Sequence, residues 1–362
     1  MTTSPNCGAK ALPVPRGLAR LRLAGSAVPL LALALLACVL GSLCIGAYPV
    51  PLGDVAKILL GLSLPEPLRP AASWTDAEFA AVQIIRLPRI LLAVLAGGGL
   101  GISGAALQGM MRNPLVGPDL MGISSGAACG GILAILFDWP SWGLLAAAFT
   151  GGFVALGSAW TLARLSRGGG ILPLILAGVV VAAFFTAMHG LIQYTADPEN
   201  KLPTMVYWLI GSFAGATPHK VDILAPPVLI GGGILLLLRW RLNLLSLGDL
   251  DAASLGVKSA GLRWTIVALV SLIVAAQVAV SGIVGWVGLI VPHFARMLAG
   301  PDHRRLLPAA ALTGAIFLLI TDDIARTLVA QELPIGILTA GLGTPIFALL
   351  FWRLQAKGWS HA

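Results

Sequence analysis

Ten separate runs of apolar residues, each near the length needed to cross a lipid bilayer, constrain this chain more than any other feature. They fall at 28–47, 89–110, 119–137, 141–163, 171–193, 222–240, 264–282, 285–298, 307–329 and 335–353. A helix needs about 20 such residues to span the hydrocarbon core. It also satisfies its own backbone N–H and C=O groups where water is absent, and no run alternates with the period of two of barrel strands. The expected fold is therefore an all-α polytopic membrane protein with about ten transmembrane helices, the eighth run being short for a full crossing. Composition agrees, because only 10% of residues are charged, against about a quarter in soluble domains.

The +8 formal charge points to orientation rather than to nucleic acid, since basic residues concentrate in cytoplasmic loops of membrane proteins. With the N-terminus inside, only Lys57, Arg69, Arg86, Arg89, Lys201, Lys220 and Arg326 of the 23 basic residues face out. Eleven of the 15 acidic residues share that outer side. Both termini are thus expected in the cytoplasm, on a multi-pass protein of the cell inner (plasma) membrane. The first run is longer than a usual signal core and opens a series of further spans, which marks it as a retained helix.

Three parts follow: a basic cytoplasmic tail over 1–27, one transmembrane domain over 28–353, and a cytoplasmic tail over 354–362. The outer segment 48–88 contains Pro49, Pro51, Pro65, Pro67 and Pro70, and its stretch from Trp74 to Ile85 is expected to lie along the interface. In 194–221, prolines flank the apolar run Met205–Phe213, too short to cross. It is expected as a half-helix against the outer end of the fifth span, as irregular backbone is tolerated where protein or a cavity covers it. The polar stretch 239–263, RWRLNLLSLGDLDAASLGVKSAG within its length, reads as short helices along the cytoplasmic face, interrupted at Gly248-Asp249 and stopped at Gly256. Its leucines must be buried against a partner or against the chain itself.

Several motifs mislead. Gly99 to Gly104 satisfies G-x-G-x-x-G, yet it sits inside an apolar run with no strand before it. Gly97, Gly101 and Ala105 at four-residue spacing instead permit close helix approach. None of the six lysines belongs to a P-loop, and no HExxH, GxSxG or Cys/His cluster occurs. The chain is therefore expected to carry no catalytic residue, metal or cofactor of its own. Cys7, Cys38, Cys44 and Cys129 show no paired spacing. Gln108, His189, Gln193 and Gln277 would be costly facing lipid and should point into the bundle or a pathway. All acidic residues are expected at or outside span ends, which disfavours an ion-coupled secondary transporter.

The stretch RLPRILLAVLAGGGLGISGAALQGMMRNPLVGPDLMGISSGA at 86–127 resembles the signature region of the permease subunits of iron-chelate and vitamin B12 ABC importers. LGDLDAASLGV (247–257), SGIVGWVGLIVPHFARMLAGPDHRRLLP (281–308) and ELPIGILTAGLGTPIFALLFWR (332–353) resemble that family's later blocks in the same order. The resemblance implies a vitamin B12 importer-like permease fold that works as a homodimer. Its partners would be two cytoplasmic ABC ATPases, which bind the ATP and Mg, and a periplasmic binding protein. Membrane lipid surrounds it, and no nucleic acid is involved.

The resemblance also implies site roles. The coupling helices, at about 242–260, would meet the ATPase through Gly248, Asp249, Ala252, Leu255 and Gly256. Arg86, Arg89 and Arg326 would receive carboxylates of the binding protein, a task suited to the planar guanidinium fork. The path would run between the two fifth helices, with Thr186, His189, Gln193, Tyr194, Met205 and Tyr207 as lining candidates. The implied cargo is a bulky iron chelate, a ferric siderophore or haem, moved by ATP-driven alternating access. Cobalamin and oxyanions are the alternatives within the family.

Overall fold

A computed structural model describes residues 16–46, 48–63, 73–165, 171–329 and 331–356. Most of the expected basic tail, Cys7, the prolines at 65, 67 and 70, and residues 357–362 lie outside these. The described residues form helices with no strand among them. They begin with α1 (Arg16–Cys44), α2 (Leu52–Ser63), α3 (Asp76–Phe79), α4 (Leu87–Met111) and α5 (Ile123–Leu136). Next come α6 (Ser141–Leu165), α7 (Ile171–Thr195), α8 (Lys201–Ile210), α9 (Pro218–Leu237) and α10 (Arg239–Leu247). The last five are α11 (Asp249–Ser254), α12 (Ser259–Ser281), α13 (Val287–Ala299), α14 (His303–Thr327) and α15 (Ile335–Ala356).

Each of the ten apolar runs is helical. Among the described residues, seven helices are long and apolar enough to cross a membrane, while α5, α13 and the apolar part of α15 are shorter. The first helix already includes residues from Arg16 on, ahead of the expected start near residue 28, because the Leu, Ala and Arg residues there are good helix formers. The stretch around Trp74 to Ile85 does not form a separate interfacial helix. Thr75 and Glu78 make a capping box, and a π-helical stretch, Ala80–Arg86, leads directly into α4.

Close glycine contacts hold the centre together. A Cβ on Gly97 would lie 2.2 Å from the Gly314 carbonyl oxygen, and one on Gly101 would lie 2.3 Å from that of Ala310. Here α4 and α14 meet backbone to backbone, as small residues allow in membranes. Gly104 is pressed against Gly288 of α13 in the same way. The segment after α4 folds back into the bundle, with Pro118 packed against Gly288. Two carboxylates near helix ends bond within the chain. Asp119 rides on this re-entrant segment, accepting a bond from Ser124 Oγ at 3.0 Å, and Asp322 is fully buried within α14.

The short α8 seats mainly on α5, where Met205 and Ile132 share a core cluster to which Ile192 of α7 adds an edge. Its C-terminal Gly211 has φ of +78°, and a Cβ there would meet the Ile283 carbonyl oxygen at 2.4 Å. Glycine is required at such a turn. Two of the intramembrane amides bond within the chain: Gln108 donates to the Leu289 carbonyl at 3.1 Å, and Gln277 donates to Ser281 Oγ at 2.9 Å and to the Gly282 carbonyl at 3.0 Å.

Candidate functional site

At the end of the bundle where α4 begins and α14 finishes, Arg86, Arg89 and Arg326 converge. They border a small cavity of about 170 Å³ with Gly46, Tyr48 and Glu332. Antiparallel packing of α4 on α14 creates the cluster, since it sets the first turn of one beside the last turns of the other. Arg89 Nε donates to both Asp322 oxygens at 3.0 and 2.9 Å, and its Nη1 donates to Glu332 Oε2 at 2.6 Å. Asp323, the next residue, points to the other side and accepts from Arg326 Nη2 at 2.6 Å. Arg326 also donates to the carbonyls of Ile45 and Ser42, each at 2.6 Å. Arg86 donates to the Leu43 carbonyl at 2.6 Å and to that of Tyr48.

The three guanidiniums expected to face a protein partner thus belong to one site, but Arg86 and Arg89 are buried, Arg326 is half-buried, and all three are bonded within the chain. Two of them clamp the end of α1 through its carbonyls, which the helix itself cannot satisfy. Of their acidic partners, Glu332 is the most open, with 40% of its side chain exposed.

At the opposite end, α10 and α11 form the expected pair of short helices. Gly248 between them has φ of +123°, and Gly256 beyond them has φ of +80°. Leu242 and Leu245 of α10 are fully buried, while Leu247, Leu250 and Leu255 are exposed, Leu250 by 87%. Of the residues expected to contact an ATPase, Leu255 and Gly256 lie open. Asp249 is exposed and pairs with Arg263 of α12. Ala252 and Gly248 are buried, so they serve the chain's own packing; α11 turns its small face inward. Leu250 was not singled out from the sequence, although its place between Asp249 and Asp251 marks an apolar residue on a polar surface.

The expected lining residues do not share one face. Tyr194 is 88% exposed and Tyr207 50%, and Thr186 is also exposed. Gln193 and His189 are half-buried, and His189 Nε2 bonds the Ser125 carbonyl of α5 at 2.7 Å. Met205 has no exposed surface. Its side chain fills the α5–α8 contact, so it cannot line a path in this arrangement. Among the described residues, no group of three or more His, Cys, Asp or Glu could hold a metal.

The FecCD transport family model matches residues 34–353. The molybdate import system permease protein MolB of Haemophilus influenzae is 43% identical over 317 residues, spanning 88% of this chain and 92% of the relative. A protein described as a probable iron chelatin transport system permease, from Helicobacter pylori, is 41% identical over 271 residues, or 75% and 82% of the two chains. A solved structure, described as an inward-facing conformation of a metal-chelate type ABC transporter, superposes with a TM-score of 0.80 at 42% identity. It covers 90% of this chain and 98% of that one. With that family match, that fold and those spans, the chain belongs to the FecCD transport family, as a multi-pass inner-membrane permease subunit of an ABC importer.

Proposed function

We propose that two copies of this chain form the membrane channel of an importer for an iron chelate, with the α10–α11 end in the cytoplasm. The observation that carries the reading is the exposed row Leu247, Leu250 and Leu255 on two short helices between polar residues. Apolar side chains on a surface with Asp249, Asp251 and Lys258 around them call for a partner, and an ATPase is the partner that such a permease needs. ATP binding would close two ATPases against the two segments, and the movement would open the path first outward and then inward. The far end, with Arg86, Arg89, Arg326 and Glu332, would then face a periplasmic binding protein.

The path reading rests on α7, which leaves most of its surface open in the single chain, including Thr186 and Tyr194. Facing α7 helices at a twofold axis would cover that surface and put these residues beside the cargo. Support for an iron chelate comes from the metal-chelate and iron chelatin relatives. An oxyanion is the second reading, favoured by the likeness to a molybdate permease. Uptake into proteoliposomes holding this chain, its ATPase and its binding protein separates the two. ATP-dependent accumulation of ferric siderophore or haem is expected, and accumulation of molybdate instead would replace the cargo reading. Accumulation driven by an ion gradient without the ATPase would overturn the importer reading.

A further inference from the structure

We propose that Asn243 is a positioning residue that joins the first of the two surface helices to α14 and so carries ATP-driven movement into the bundle. This rests on the reading that α10–α11 receives the ATPase. Asn243 lies midway along α10, half-buried. Its side-chain oxygen accepts from the His303 backbone N–H at 2.9 Å and from His303 Nδ1 at 2.8 Å. Its amide nitrogen donates to Asp302 Oδ1 at 2.6 Å. Asp302 is itself the N-cap of α14, accepting from the Arg304 backbone N–H at 2.9 Å.

One side chain of α10 therefore holds both the cap and the first residue of α14. The task needs an amide, which offers a doubly accepting oxygen and a donor nitrogen on one short stem. The backbone N–H of His303 can only donate and the Asp302 carboxylate accepts, so these neighbours fix which end of the amide faces which. Aspartate at 243 would lack the donor and face a second carboxylate. Leucine would lose all three bonds.

The connection continues inward. His303 is buried, and its ring lies so close to α4 that a Cβ on Gly109 would stand 2.0 Å from Nε2. The Arg304 guanidinium stacks over the Trp240 ring at 4.2 Å, a second contact between α14 and α10. Leu242 and Leu245 complete the seat of α10 on the bundle. Beyond Gly248, by contrast, α11 is held to α12 by the Asp249–Arg263 pair. The surface segment thus spans two bodies, α10 with α4 and α14, and α11 with α12, around a glycine at φ of +123°. A force on α10 reaches α14 through Asn243. The far end of α14 carries Asp322 and Asp323, which hold Arg89 and Arg326.

The test uses the complete transporter in proteoliposomes and reads cargo accumulated per ATP hydrolysed, together with the amount of ATPase that co-purifies. For Asn243→Leu and Asn243→Asp the ratio is expected to fall about tenfold, with hydrolysis within about twofold of wild type and ATPase association unchanged. Asn243→Gln, which keeps the amide, is expected to recover part of the ratio. A ratio unchanged in all three variants overturns the assignment. Arg304→Ala removes the neighbouring stacking contact and is expected to leave the ratio within about twofold. If it lowers the ratio as much as Asn243→Leu, general loosening of the α10–α14 contact is the cause and the assignment falls. A Leu250→Glu transporter, with Asn243 intact, that still retains its ATPase sinks the docking reading instead, a result separate from either.

Discussion

Arg89 and Asp322 form an ion pair inside the α4–α14 contact, with Nε 2.9 Å from Oδ2 and the carboxylate wholly inaccessible. Removing one member of such a pair strands the other charge at a cost of about 3–5 kcal/mol. Glu332 still accepts from Arg89 Nη1, so Asp322→Asn should fall near the lower figure. Equilibrium unfolding in mixed micelles measures it. The double variant Arg89→Met with Asp322→Leu should recover most of the loss, because no charge is then left buried. A loss below about 1 kcal/mol for the single variant would mean that the pair does not hold the helices together.

Glu332 separates two roles for Arg89. If a carboxylate of the binding protein docks there, it competes with Glu332, the most open of the internal acids. Glu332→Gln should then tighten binding-protein association several-fold, mostly through faster and more salt-dependent encounter. Reversing Arg89 to Glu is a poor test, since it would put a third carboxylate beside Asp322 and Glu332 and damage the fold first. Unchanged association rates in Glu332→Gln across a salt series would leave Arg89 as an internal clamp only.

Leu250 projects from α11 almost fully exposed, so its replacement should cost the fold little. Surface substitutions of this kind usually stay within about 0.5 kcal/mol. Leu250→Glu is expected to release the ATPase from the purified complex and to reduce uptake in proportion. Thermal midpoints of the permease alone should match wild type. Normal co-purification with the variant would place the ATPase elsewhere.

Gly97 and Gly314 touch backbone to backbone. The added methyl of Gly97→Ala has no flexible neighbour to displace, so α4 and α14 must separate. Overpacking of this sort costs about 1–3 kcal/mol. Gly157 has open space around its Cβ position, and Gly157→Ala should be neutral or slightly stabilising, helices favouring Ala over Gly by up to about 1 kcal/mol. Unfolding midpoints of the two variants, measured side by side, check the contrast.

The ten spanning runs, a short helix within 194–221 and the two surface helices were legible in the sequence, because apolar run length and glycine spacing act locally; α2 and the start of α8 at Lys201 rather than near Met205 were not. Gly97 and Gly101 could be read as packing residues without knowing that Gly314 and Ala310 lie opposite. The arginines could be picked out but not their state. Arg89 meets Asp322 across 233 positions of chain, a distance that no local pattern encodes. Met205 misled for a related reason: a ten-residue helix shows an apolar run, while the face it buries depends on where α5 stands. Asn243 was invisible because its significance lies wholly in the cap of a helix 60 residues away.

Asp302, outside the spanning segments, gives a pH dependence with a definite sign. Some burial pushes its carboxyl up, but the Arg304 backbone N–H, the Asn243 amide and the charges of Arg304 and Arg305 outweigh it and hold it below the ordinary carboxylate range. A group depressed in the folded state adds stability above its unfolded pKa and loses it as pH falls through the folded value. The cap of α14 should therefore be fully formed at neutral pH and weaken only on strong acidification. Asp302→Asn keeps a capping side chain but cannot titrate. The gap in thermal midpoint between wild type and Asp302→Asn should be constant near neutrality and narrow as the solution is acidified below the carboxylate range. A gap that widens with acid would show that burial, and not the hydrogen bonds from Arg304 and Asn243, governs this carboxylate.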